Sequence, residues 1–443
     1  MDIALSEILQ DLNPAWDVIR APLPVAPIRR DLQPLLLERL RDVSDRRALV
    51  VSGPRQIGKT EILRQLAFDL DRLGWPPANV VFFDFSDDRL TTAVSMREVV
   101  EAAPVAEASH AQVFLFDEVD RAQAWGRFVK GAVDRRQARF VLTSSAAAKL
   151  RQTGDESGLG RWDEFDVEPL SFSEFVRIAS RQDDPRAGLE REPGAVESYL
   201  AVGGFPEHIG WSAREARARL RQEVADRAVR RDLTLAGVDV DRVARLLAYL
   251  LQESGGDLVV EHVRRVLETD RRSVSRWVDL LLSTGLVRRL PRWSRRPQAR
   301  LRGRARIHAA DPGLVAAFAL GPLPHRDPNV RGKLVEAAVY RHLRTLPDAE
   351  LGYDPEAGTA DFVVQCALAG EVRRVVVEVT ASTSVRTAKR AQIAGTMQRV
   401  KADAGVLVYG GTLRARVGEL AALPLHEMLL DPLAALTEVV DAR

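Results

Sequence analysis

The sequence predicts an α/β protein built on a parallel sheet, followed by a helical stretch and a second, smaller α/β unit. Three observations carry this reading. Residues 48–167 alternate short β-branched runs with helical stretches, the pattern of a parallel sheet covered on both faces. A complete phosphate-loop pattern, Gly53-Pro54-Arg55-Gln56-Ile57-Gly58-Lys59-Thr60, follows the first of those runs. After Pro322-Leu323-Pro324 a new unit begins, with a helix over 332–346 and strand-like runs at 359–366, 372–379 and 404–409.

Composition sets the outer bounds. The 443 residues are 46% hydrophobic, 28% charged and 6% aromatic, which excludes a disordered or fibrous polymer and gives room for large cores. At about 150 residues per domain, two to three domains are expected. The 64 basic residues nearly balance 62 acidic ones, so the net charge of +2 offers no global attraction to nucleic acid or membrane. Any such surface must be local. Lysine supplies only 6 of the basic residues and arginine 58, evenly enough that an arginine cluster counts only where it exceeds this background. The single cysteine, Cys366, lies in an apolar run and cannot form an internal disulfide, which fits an intracellular protein. The start, Met1-Asp2-Ile3-Ala4, has no basic-then-apolar signal, and no apolar run approaches the roughly 18 residues of a membrane span. A cytoplasmic location with no membrane partner is expected.

The elements follow in order. Strands are expected at 47–52, 80–85, 112–117, 139–143 and 163–167. Residues 170–235 read as mostly helical, with a loop at Gly203-Gly204-Phe205-Pro206, and suggest a lid. Between 240 and 307, amphipathic helices precede two arginine-rich strand-like stretches, the first being Leu286-Val287-Arg288-Arg289-Leu290. Helices followed by a hairpin suggest a winged helix.

The loop at 53–60 has the context its chemistry needs. Ala48-Leu49-Val50-Val51 precedes it as a strand, and Glu61-Ile62-Leu63-Arg64 opens a helix after it. Glycines let backbone N–H groups turn toward phosphate oxygens, and the helix N-terminus adds about half a positive charge. Lys59 would bridge the β- and γ-phosphates of ATP, and Thr60 would place its hydroxyl on Mg²⁺. Downstream, the apolar strand Val113-Phe114-Leu115-Phe116 ends in Asp117-Glu118. Asp117 is expected to hold the Mg²⁺ shell and Glu118 to act as the catalytic base on water, with Lys59. The strand 139–143 ends beside Ser144, favoured as a γ-phosphate sensor narrowly over Thr143; the alternative is that these hydroxyls cap the next helix. Arg161 is a candidate γ-phosphate contact, in cis or in trans, or a solvated surface residue.

At this point the residues resemble a family: prokaryotic AAA-type P-loop ATPases related to the archaeal ATPase group, with a winged helix and a C-terminal nuclease-like domain of unknown function. The likeness extends beyond the loop and Asp117-Glu118 to Ile28-Arg29-Arg30-Asp31, Pro169-Leu170-Ser171-Phe172-Ser173-Glu174-Phe175, and Tyr199-Leu200 with Gly203-Gly204-Phe205-Pro206. It continues through Asp311-Pro312-Gly313-Leu314 to Gly332-Lys333-Leu334-Val335-Glu336. The resemblance implies an ATPase core over 1–170, a helical lid over 171–238, a winged helix over 239–310 and a restriction-endonuclease-like domain over 311–443. It also implies a sheet in which the sensor strand lies between the first strand and the acid-bearing one.

Residues 286–306 hold nine arginines and no acid, where the chain average gives about three of each. Arg271, Arg272, Ser273, Ser275 and Arg276 fall near the start of a helix that buries Trp277, Leu280 and Leu281. Such a helix could enter a major groove while the hairpin grips phosphates. The candidates for nucleic-acid contact are Arg272, Arg276, Arg288, Arg289, Arg292, Arg295 and Arg296. The alternative is a spacer whose arginines pair with neighbouring domains. In the last domain the resemblance implies a metal site with an Asp at one strand start and Glu-x-Lys on the next. Asp361 and Glu378 fit, Glu336 could add a third carboxylate, and Thr380 stands where Lys is expected, with Lys389 on the following helix able to swing in. The set is therefore either a metal-dependent nuclease site or a degenerate one used for binding. The seven histidines show no paired metal spacing. Together these features suggest ATP turnover coupled to double-stranded DNA, or else a slow ATP-dependent switch that docks a protein partner, or an ATP-controlled nuclease.

Overall fold

The structure is a computed structural model that describes residues 3–17, 25–42, 44–135, 138–144, 160–191, 194–223, 238–294, 296, 298, 300, 305–321, 324–356, 358–385, 387–417 and 419–441. The chain forms two compact units, Met1–Glu168 and Pro169–Arg443. Among the described residues no helix is long and apolar enough to cross a membrane.

The first unit contains α1 (Ile3–Leu12), α2 (Leu32–Arg41), β1 (Ala48–Ser52), α3 (Lys59–Arg72), β2 (Val80–Asp84), α4 (Met96–Ala102), β3 (Val113–Asp117), α5 (Trp125–Asp134), β4 (Arg139–Ser144) and β5 (Trp162–Asp166). Each strand lies within one residue of its expected limits. They pair in the order β2-β3-β4-β1-β5, all parallel, so β4 separates the acid-bearing β3 from β1 as expected. Every residue of β1, β3 and β4 is buried, which is why their sequences are continuous apolar runs rather than alternating ones. Phe83, Phe114, Phe116 and Phe140 form much of this core, and Trp125 of α5 is buried against it. Ahead of α5, Val119–Arg121 is a 3₁₀ turn, and Ala124 takes a left-handed φ of 51° just before Trp125 opens the helix.

The second unit opens with α6 (Phe172–Ser180), α7 (Pro185–Arg191), α8 (Ala195–Val202) and α9 (Ala213–Arg219). Next come α10 (Val240–Gln252), β6 (Gly256–Asp257), α11 (Val260–Val266), α12 (Arg271–Ser283), β7 (Val287–Pro291) and β8 (Ala305–Ala309), with an antiparallel sheet ordered β6-β8-β7. Asp270 caps α12 by accepting from the Ser273 N–H at 3.0 Å. Val274, Trp277, Val278 and Leu281 fill its buried face.

The remainder is α13 (Pro312–Phe318), α14 (Pro328–Leu343), β9 (Glu350–Gly352), β10 (Phe362–Leu368), β11 (Glu371–Thr380), α15 (Thr387–Val400), β12 (Ala404–Tyr409), β13 (Ala415–Val417), β14 (Leu420–Pro424), α16 (Leu425–Leu430) and α17 (Pro432–Asp441). Its six-stranded sheet is ordered β13-β14-β12-β11-β10-β9, with β10 antiparallel to β11 and β11 parallel to β12. The two sheets of this unit are joined. The Trp293 N–H donates to the Tyr353 carbonyl at 2.6 Å and the Tyr353 N–H to the Pro291 carbonyl at 3.1 Å, carrying the line of β7 onto the β9 edge. The guanidiniums of Arg300 and Arg374 lie 4.8 and 4.9 Å from the Trp293 ring centre, one from each sheet region.

Candidate functional site

The loop at 53–60 leaves β1 and ends as α3 begins. Gly53 (φ 156°) has no room for a side chain: a Cβ there would meet the Val167 carbonyl oxygen at 2.3 Å. Gly58 takes φ 87° and caps α3 in the left-handed conformation that glycine adopts without strain. Lys59 is buried, and its ammonium donates to the Gly53 and Pro54 carbonyls at 3.0 and 2.7 Å. Burial lowers its pKa, while the carboxylates of Glu118 and Asp117 oppose that shift.

Three strand ends converge beside this loop. The Thr60 hydroxyl donates to Asp117 Oδ2 at 2.5 Å, and the Thr143 hydroxyl donates to the other oxygen of Asp117. Burial raises the Asp117 pKa; the bonds from Thr143 and Thr60 pull it down, and Asp84 and Glu118 push it further up. Glu118 follows at φ 51°, a left-handed backbone costing on the order of 1–2 kcal/mol for a residue with a side chain. Its N–H donates to Thr143 Oγ1 at 3.0 Å, and its carboxylate stands 3.9 Å from the Arg55 guanidinium. Ser144 bonds Asp120 at 2.7 Å instead, so the hydroxyl that touches Asp117 and the Glu118 backbone is that of Thr143. The helix that these hydroxyls could have capped lies outside the described residues.

Arg161 does not join this cluster. Its carbonyl accepts from the Ala48 N–H at 2.9 Å, at the start of β1, whereas the phosphate loop leaves from the far end of that strand, about 13 Å away. Its guanidinium pairs with Asp134 at 3.2 Å. Within one chain it cannot serve the loop. Two residues escaped the sequence reading. Arg30 donates to the Ile57 carbonyl of the loop and to the Glu168 carbonyl, both at 2.8 Å. Asp84, at the end of β2, is the register partner of Asp117. The Ile28-Arg29-Arg30-Asp31 run was a visible signal for the first; nothing local signalled the second.

The arginines of 286–306 are partly committed. Arg289 pairs with Asp279 at 3.2 Å, Arg300 with Glu350 at 3.0 Å, and Arg306 stands 3.7 Å from Asp257 and over the Tyr353 ring. Arg272, Arg276 and Arg296 are exposed, Arg288 and Arg292 are half-buried, and Arg295 lies outside the described residues.

In the C-terminal sheet, Asp361 Oδ2 accepts from the Val379 N–H at 2.8 Å, and fully buried Glu378 accepts from the Lys389 ammonium. Lys389 therefore reaches in from α15 as expected. Burial and the neighbouring charge of Asp361 raise both Glu336 and Glu378, the latter to about 7. The expected set of three carboxylate ligands is corrected in one respect. Among the described residues no three Asp, Glu, His or Cys side chains converge as metal ligands, and the ammonium of Lys389 occupies one oxygen of Glu378.

The sheet order, the loop and the carboxylates at its edge define a P-loop nucleotide-binding domain of the AAA type. Residues 45–176 match the AAA domain family, and this region is a AAA-type P-loop ATPase domain; residues 194–323 match a domain of unknown function, DUF8612. The chain is similar, at 22% identity over 421 residues, to the uncharacterized protein MJ1637 of Methanocaldococcus jannaschii, covering 87% of this chain and 85% of that one. Among solved structures it is similar to the Walker-type ATPase PABY2304 of Pyrococcus abyssi, at 13% identity with a TM-score of 0.39, covering 69% of this chain and 99% of that one. It is also similar to the RuvB Holliday junction branch migration motor of Thermotoga maritima, at 16% identity with a TM-score of 0.30, covering 60% and 90%.

Proposed function

We propose that the chain binds ATP with Mg²⁺ at 53–60, hydrolyses it, and couples turnover to conformational change on a nucleic acid held by a winged helix over 239–310 and a nuclease-like domain over 311–443. The observation that carries the first part is the Thr60–Asp117–Thr143 cluster beside the phosphate loop. A hydroxyl and a carboxylate oxygen 2.5 Å apart are the hard oxygen donors that suit Mg²⁺, so Thr60 and Asp117 would hold it. Bound there, the ion supplies charge neutralisation to the phosphates. Lys59 exchanges its two loop carbonyls for β- and γ-phosphate oxygens, taking its charge to where negative charge builds during transfer. Glu118 polarises a water for attack on the γ-phosphorus; the water oxygen forms the new bond, the bridging oxygen leaves with ADP, and the proton passes to the carboxylate or to released phosphate.

The nucleic-acid part rests on the exposed Arg272 and Arg276 of a capped, amphipathic α12 and on the acid-free stretch 286–306. The pairing of Arg289, Arg300 and Arg306 with acids favours the second reading, a slow switch that docks a protein partner. A third reading, an ATP-controlled nuclease, is disfavoured, because the Lys389 ammonium holds Glu378 and no three ligand side chains converge among the described residues. One assay separates the first two: ATP hydrolysis by the purified full chain with Mg²⁺, with and without mixed double-stranded DNA, at low and high salt. Stimulation that fades with salt supports the nucleic-acid reading. Slow turnover indifferent to DNA overturns it in favour of the switch.

A further inference from the structure

Four sequence motifs take no part in the chemistry above: the Arg29-Arg30 pair, 169–175, the run from Tyr199 to the double glycine, and Asp311-Pro312-Gly313. Bonds from Arg30, Tyr199, Gly204 and the 169–175 run itself meet on one short length of backbone, 167–172, and Asp311 holds Gly204. In the first unit, the Val167 N–H donates to the Ser52 carbonyl at 2.7 Å, one residue before the phosphate loop. Arg30 takes hold of the next residue, since the guanidinium that donates to Ile57 inside the loop also donates to Glu168, each at 2.8 Å. One planar cation thus ties the loop to the strip that leaves the sheet.

The chain then continues into the second unit, where the strip is held again. Arg341 Nε donates to the Pro169 carbonyl at 3.0 Å, and the Phe172 N–H donates to His342 Nε2 at 2.8 Å. The Leu170 N–H donates to the Gly204 carbonyl at 2.7 Å, and the Leu170 carbonyl accepts from the Tyr199 hydroxyl at 2.9 Å. Gly204 is fixed in turn by its N–H bond to Asp311 Oδ2 at 2.7 Å, and a Cβ on Gly203 would collide with the same carboxylate. The Ser171 N–H bonds Glu174 at 2.9 Å, so each of the six residues has a backbone group in a specific bond. Ordinary connecting segments leave such groups to water. Arg341 and His342 belong to α14, which carries Glu336 five residues earlier.

Hydrogen bonds tolerate only a few tenths of an ångström before they weaken, so a strip bonded at every residue transmits displacement instead of absorbing it. We propose that 167–172 is a relay through which the phosphate loop and α14 change state together, with Arg30 as the positioning residue that couples the loop to the strip. The proposal rests on the reading of 53–60 as the ATP site.

The test uses the full chain with Mg²⁺ and a non-hydrolysable ATP analogue, following binding by fluorescence titration and backbone hydrogen exchange by mass spectrometry. In the wild type, analogue binding should slow exchange severalfold in peptides spanning 334–343 as well as in the loop. Arg30→Met should bind the analogue no more than about tenfold more weakly, protect the loop, and lose the response in 334–343. Tyr199→Phe, which keeps the ring and deletes one donor to the strip, should bind with wild-type affinity and show a diminished response there. Binding without any change in 334–343, or an unchanged response in both variants, overturns the relay and leaves the ATP site standing. Absence of binding by the wild type overturns the ATP-site reading, and the relay falls with it.

Discussion

Asp117 sits where burial and bonding oppose each other: desolvation raises the pKa of its buried carboxylate, and two hydroxyl donors pull it back down in part. Its neighbours divide the work by reach. Lys59 is the buried cation whose loss should abolish nucleotide binding, so Lys59→Ala is expected to weaken the affinity for a fluorescent ATP analogue by at least about 100-fold. Glu118→Gln keeps shape and hydrogen-bonding capacity but removes the base; it should bind like the wild type while phosphate release falls about 100-fold or more. Hydrolysis by Glu118→Gln at the wild-type rate would end that assignment. Lys59, Thr60, Asp117 and Glu118 were legible in the sequence because each is fixed by spacing from the strand it adjoins. Arg30 was visible only as part of a motif; its role was not, because its partner Glu168 lies 138 residues away and only packing brings them together. For the same reason the choice between Thr143 and Ser144 needed the structure: adjacent residues on one strand point to opposite faces, and only the neighbouring strand decides which hydroxyl meets Asp117.

At the scale of elements, the inner strands β1, β3 and β4 were readable because strands buried on both faces are written as largely apolar runs, whereas β5, Trp162–Asp166, is a more exposed edge strand with three acids. The arginine count of 286–306 was readable, but its use was not. Arg300 and Arg306 stack on Trp293 and Tyr353, an arrangement set by the joining of two sheets far apart in sequence. The buried cap of α13 makes a pH prediction. Asp311 accepts N–H bonds from Gly204 and Gly313, yet burial wins and raises it from 3.8 to about 7, with Arg341 the charged neighbour that resists. A carboxyl raised on folding binds its proton more tightly in the native state. Its contribution is therefore complete below the unfolded value of 3.8 and is lost as pH rises through about 7, by a total on the order of 4 kcal/mol. Asp311→Asn has no such term, so urea unfolding at pH 5 and pH 8 should show the wild type losing stability relative to the variant as pH rises. A difference independent of pH would contradict the raised carboxyl.

For the whole molecule, two compact units imply that unfolding is not a single two-state event. Calorimetry should resolve two transitions. Mg²⁺ and ATP at about 100 times Kd should stabilise the one belonging to the first unit by about 2.7 kcal/mol, a rise of roughly 5–11 °C, and Lys59→Ala should remove the shift. The alternation of strands and helices over 48–167 was legible along the chain. The union of β7 with β9 was not, because a backbone bridge between Arg292 and Tyr353 leaves no mark on either local pattern. That bridge bears on inheritance. A recombination break near residue 310 would strip Trp293 of its partner strand in the upstream piece and leave β9 as a bare edge, open to pairing with other chains, in the downstream one. Descendants that gain or shed modules should therefore carry both sheets of the second unit as a single cassette.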